Sequence, residues 1–104
     1  MTLSADDIRL IGACLNAVAN GPFIPDWEFG TLMGVTRAEC AAVAARWPEV
    51  DRRAEDVRLS VLNGLNNLTG YPIDHEDQWD RYIPVTRDAL DGLYARFKAS
   101  LPPE

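Results

Sequence analysis

Apolar residues in this chain return every three or four positions, in runs that glycine or proline closes. Ile8, Ile11, Cys14, Leu15 and Val18 make the first run, and Asn20-Gly21-Pro22 ends it. Such spacing puts the apolar side chains on one face of a helix, and Ser4, with Asp6 and Asp7 behind it, is a suitable helix start. Gly21 is expected to take the left-handed cap conformation. A connector rich in aromatics follows, then a short helix from Asp26 to about Met33, which Gly34 breaks. Thr36-Arg37-Ala38-Glu39 reads as a capping box, with Val35 and Cys40 placed as a hydrophobic staple. Cys40, Val43, Ala44 and Trp47 then form a stripe so rich in alanine around it that a neighbouring helix is expected to approach closely.

The next helix is expected over 52–69, with Val57, Val61, Leu65 and Leu68 on its apolar face and Gly70-Tyr71-Pro72 at its end. Residues 71–84 are irregular, with one helical turn expected around Trp79. Thr86 caps a last helix carrying Leu90, Leu93, Tyr94, Phe97 and Leu101, and Pro102-Pro103 stops it. No segment alternates apolar and polar residues between turn signals as a half-buried strand would. The expected fold is therefore all-α, a small bundle of four main helices plus short connector helices. At 104 residues the chain makes one domain, large enough to fold without staples.

An internal repeat is visible. Ala5-Asp6-Asp7-Ile8-Arg9-Leu10 matches Ala54-Glu55-Asp56-Val57-Arg58-Leu59, Val35-Thr36-Arg37 matches Val85-Thr86-Arg87, and Ala45-Arg46-Trp47 matches Ala95-Arg96-Phe97. Residues 5–47 and 54–97 are thus expected to be two similar helical hairpins. Against this, Ile11, Leu15 and Val18 align with Ser60, Gly64 and Asn67, so convergent capping is the competing account.

The net charge of −6 disfavours nucleic acid, whose binding rests on Lys and Arg displacing phosphate counterions, and suits a basic partner. Residues 29–43 have the spacing of a helix-turn-helix corner, but many proteins pack two helices that way. The exposed face there would offer only Arg37 and Arg46 among alanines and Glu39. The N-terminus lacks a basic region followed by an apolar run, so no signal peptide is read. The longest uncharged stretch, 10–25, contains Gly, Asn and Pro and is no membrane span. A cytoplasmic location is expected, with Cys14 and Cys40 as reduced core thiols.

Two segments are chemically unusual. Ile73-Asp74-His75-Glu76-Asp77-Gln78-Trp79-Asp80 gathers four carboxylates and the single histidine. Its spacing fits no metal loop, and a solvated or docking surface with Tyr71 and Trp79 as anchors is the reading that remains. On the 52–69 helix, Asp56, Ser60, Asn63 and Asn67 share the face opposite Val57, Val61 and Leu65. Asn and Gly weaken a helix by roughly 0.5–1 kcal/mol each, so a solvated face would not choose them. That face is expected to be covered, with the 71–82 connector as the nearest cover.

No nucleophile–base set or phosphate-binding glycine loop stands out, and no cofactor or metal is expected. The functional expectation is a non-enzymatic protein-protein interaction or regulatory module, acting through an acidic, aromatic-containing surface: Asn63, Asn67, Tyr71, Asp74, His75, Asp77 and Trp79. Its partner is expected to be a protein, of basic character; a homodimer is left open. The alternative is a small ligand-binding protein or enzyme with a polar pocket between the Asn-bearing helix and the acidic connector.

Overall fold

A computed structural model of the chain describes residues 3–70, 73 and 75–101. Among them the fold is all-helical: α1 (Ala5–Asn20), α2 (Asp26–Met33), α3 (Arg37–Arg46), α4 (Glu55–Gly70), a 3-10 turn (Glu76–Gln78), α5 (Trp79–Tyr82) and α6 (Arg87–Ser100). The helix α1 packs on α3, α4 and α5, while α4 packs on α6, α3 and α2. Their apolar stripes meet in one core that holds Ile11, Leu15, Met33, Leu65, Leu93 and Phe97. Among the described residues no helix is long and apolar enough to cross a membrane.

The helix starts follow from their caps. The Ser4 hydroxyl accepts from the Asp7 N–H at 3.0 Å, and the Asp7 carboxylate accepts from the Ser4 N–H at 3.3 Å. Thr36 and Glu39 exchange the same pair of bonds at 3.0 and 2.9 Å. Thr86 accepts from the Ala89 N–H at 3.3 Å, but Ala89 cannot return the bond.

Two boundaries correct the sequence reading. The fourth helix starts at Glu55, not at residue 52, because Asp51 folds the preceding residues into a turn: its carboxylate takes the Arg53 N–H at 2.9 Å and its carbonyl takes the Ala54 N–H at 3.0 Å. Gly21 ends α1 in an extended conformation, φ −88°, not a left-handed one. Its smallness matters for another reason: a Cβ there would run into the Ala17 carbonyl oxygen. The left-handed glycine is Gly34, φ 72°, at the end of α2.

The alanine-rich α3 does lie close to α1. At its end the Trp47 indole N–H donates to the Ile8 carbonyl at 2.8 Å, and the ring covers Gly12, where a Cβ would stand only 3.0 Å from Trp47 Cδ1.

Contacts in the first half of the chain have counterparts in the second. Arg37 pairs with Asp26 at 2.8 Å and sits 4.4 Å over the Phe29 ring. Arg87 pairs with Glu76 at 2.5 Å and sits 5.4 Å over the Trp79 ring. Each pair spans 11 positions. Between the halves, Arg46 reaches Asp56 at 3.7 Å and Arg96 reaches Asp7 at 2.9 Å. These two bridges are reciprocal, an arginine in the second half of α3 or α6 meeting an aspartate in the first turn of α4 or α1.

Candidate functional site

The irregular connector after α4 owes its shape to three local features. His75 takes a left-handed conformation, φ 55°, and its carbonyl accepts from the Gln78 N–H at 2.9 Å. The expected helical turn at Trp79 is present as α5, entered through the 3-10 turn. The Trp79 indole N–H donates to the Val85 carbonyl at 2.8 Å, and Phe23 packs against both Trp79 and Tyr82, with ring centres 6.1 and 5.5 Å away. These contacts fix the indole while leaving it half-buried.

Beside it opens a cleft of about 380 Å³, lined by Glu76, Trp79, Asp80, Pro84, Val85, Thr86 and Arg87. Ligand-binding clefts run roughly 300–1,000 Å³ and combine apolar walls with a few polar groups, and this one lies at the small end of that range. Arg87 spends its charge on Glu76 across the cleft. Asp77 and Asp80 are exposed, and among the described residues neither joins an ion pair. The Thr86 hydroxyl faces the first turn of α6 as its cap.

Of the residues singled out in the sequence, His75, Asp77 and Trp79 fall together on this connector, with the histidine and aspartate exposed. Tyr71 and Asp74 lie outside the described residues. Asn63 and Asn67 lie elsewhere. The Asn63 amide donates to the Met33 carbonyl at 2.8 Å; Asn67 donates to the carbonyls of Leu32 at 3.1 Å and Asn63 at 2.8 Å. Leu32 and Met33 are the last residues of α2, whose carbonyls no further helical turn can satisfy. The Asn face is therefore covered, as its composition requires, with the end of α2 on Asn63 and Asn67 where the sequence led us to expect the 71–82 connector, of which residues 71, 72 and 74 lie outside the described residues. Ser60 and Asn67 are buried on that face.

Sequence reasoning missed Pro84, Val85, Thr86 and Arg87 as parts of one cleft, and placed Glu76 and Asp80 only in an acidic run. The repeat carried a usable signal, since Arg87 and Glu76 stand at the same separation as Arg37 and Asp26. Arg37 itself departs from the helix-turn-helix expectation of an exposed reading residue. Its guanidinium donates to the carbonyls of Val18, Ala19 and Ile24 at 3.2, 3.1 and 2.5 Å, so it caps the end of α1.

Asp7, Arg96 and the two cysteines are engaged within the fold. Arg96, by hydrogen bond and charge, holds the Asp7 carboxyl below its ordinary value against the opposing effect of burial. Burial pushes the Cys14 thiol up to about 12. It also raises Cys40, which the Ser60 hydroxyl and the Arg37 charge pull partway back. Both cysteines are free and buried, which leaves little thiolate for reaction. A scan against protein-family models and searches of curated proteins and of solved structures find no match to this chain.

Proposed function

We propose that the protein is a non-enzymatic interaction or regulatory module whose contact surface is the acidic, aromatic-bearing connector and the start of α6. The observation that carries this reading is the cleft between Trp79 and Arg87, rimmed by exposed carboxylates. A held aromatic with a polar rim is the arrangement that concentrates binding energy in protein contacts. The use of Asn63 and Asn67 on the backbone of α2 weighs against a ligand pocket between the Asn-bearing helix and the connector. A photo-crosslinking residue placed at Asp77 in living cells tests the proposal, with Ala99, also exposed, as the control position. A discrete crosslinked species is expected from position 77 and not from 99. The same pattern from both positions, or none from either, removes this reading.

We also infer that residues 5–47 and 54–97 are related hairpins packed about a pseudo-two-fold axis. The matched Arg37–Asp26–Phe29 and Arg87–Glu76–Trp79 groups support it, as do the reciprocal bridges Arg46–Asp56 and Arg96–Asp7. Reciprocity of that kind is the mark of a two-fold contact. An experimental structure in which superposing the hairpins fails to bring Arg37 onto Arg87 ends this reading.

A further inference from the structure

Resting on the interaction reading above, we propose that the cleft receives an arginine side chain from a basic partner protein, its guanidinium on Asp80 and its stem along Trp79, Pro84 and Val85. The cleft has an apolar bed and a charged rim, so it fits an occupant with an aliphatic stem and a polar head. The sign of that head follows from the groups that remain available. Glu76 and Arg87 engage each other at 2.5 Å, and the Thr86 hydroxyl serves the α6 backbone. Asp80 lines the cleft, is exposed, and joins no ion pair among the described residues. Of the charged groups that line the cleft, Glu76 and Arg87 offset each other, so an anion would meet the unpaired Asp80, whereas a cation gains that carboxylate. The overall charge of −6 steers the same kind of partner toward this surface.

The choice of arginine over lysine rests on the cations of the fold that meet a ring and a carboxylate together; Lys98 lies 4.3 Å over the Tyr94 ring but pairs with no carboxylate among the described residues. Arg37 lies 4.4 Å over the Phe29 ring while pairing with Asp26. Arg87 lies 5.4 Å over the Trp79 ring while pairing with Glu76. Ring beside carboxylate suits a planar guanidinium, which stacks and donates in a fork, better than a compact ammonium. Asp80 beside Trp79 offers the same two elements to a guanidinium from outside.

The test is a titration of the full-length, 15N-labelled protein at low salt with an acetylated, amidated dodecapeptide of alanine and glycine carrying two arginines. Parallel titrations use peptides with lysine and with citrulline, the neutral isostere of arginine, at those two positions. The arginine peptide is expected to shift the Trp79 indole N–H and the amides of Asp80, Val85 and Thr86 saturably. Citrulline is expected to bind about tenfold more weakly, the loss of one charge-assisted contact, with lysine in between. Asp80→Asn is expected to weaken the arginine peptide about fivefold or more. Glu49→Gln, an equal change of net charge at an exposed position on the α3–α4 connection, should leave binding unchanged. Equal binding of arginine and citrulline peptides, equal effects of the two charge-removing variants, shifts centred elsewhere, or no binding overturns the proposal. Survival of the position-77 crosslink alongside any of these results would keep the interaction module and discard only its arginine.

Discussion

Replacing Asn67 by Ala should destabilise the protein, although alanine is the better helix former. The Asn67 amide is buried and donates to Leu32 at 3.1 Å and Asn63 at 2.8 Å. Each such bond contributes about 1 kcal/mol net, and a buried carbonyl left without a partner costs about 1–3 kcal/mol. The Asn63 carbonyl keeps its place in the helical ladder, so the lasting damage falls on Leu32 at the end of α2. Two effects oppose the loss. Alanine recovers about 0.6 kcal/mol of helix propensity, and the buried Asn67 Oδ1, which has no partner among the described residues, disappears with its desolvation cost of about 1 kcal/mol. The net expectation is a loss of about 1–2 kcal/mol, readable as a lower urea midpoint at unchanged slope in the helical circular dichroism. Asn66→Ala is the internal control. That side chain is half-buried and the propensity gain should act alone, raising stability by about 0.5 kcal/mol. An Asn67→Ala midpoint at or above the wild type would refute the assignment of Asn67 to α2. So would an Asn66→Ala loss of equal size, which would mean that the segment's amides act through something other than the bonds described.

Thr36→Ala should cost about 1 kcal/mol and Thr86→Ala somewhat less, because each removes one hydroxyl acceptor and the bond lost is shorter at Thr36, 3.0 Å, than at Thr86, 3.3 Å; paired denaturation curves measure both. Asp7, held low chiefly by Arg96, contributes stability that is present above the unfolded carboxylate value of about 3.9 and lost as pH falls through the lower folded value. Asp7→Asn should therefore flatten the acid limb of a midpoint-against-pH curve below about pH 4, and an unchanged limb would contradict the Arg96 contact. Cys14 and Cys40, both buried and with raised thiol values, should react with an aromatic disulfide reagent only as fast as the protein opens, with urea accelerating both.

Most of the helix framework is legible in the sequence, because caps and stops are local chemistry. Ser4, Thr36 and Thr86 start helices where a hydroxyl can accept from a first-turn N–H, and Gly34 ends one where φ must be positive. The start of α4 is less legible, since Asp51 forms a turn on residues that also suit a helix. The Asn-bearing face shows a different limit. Its composition announced a covering partner, because those residues weaken a solvated helix, but could not name one. The groups that Asn63 and Asn67 satisfy are backbone carbonyls 30 and 35 positions away, and backbone carbonyls look alike in any sequence.

The cleft was hidden for a related reason: it depends on how two similar connectors were finished differently. In the first, α2 is eight residues long and buries Phe29 and Met33. Its arginine, Arg37, goes on past the ring to the carbonyls at the end of α1, which ties that junction shut. In the second, α5 has only four residues, and the larger Trp79 turns its N–H inward to Val85. The described hydrogen bond of Arg87 goes to Glu76, with none to the end of α4. A short helix, an indole held by its edge and an arginine kept at the rim leave the space beside Trp79 open. The acidic residues then border a concavity, and on the reading proposed above it is this connector that would hold a partner's side chain.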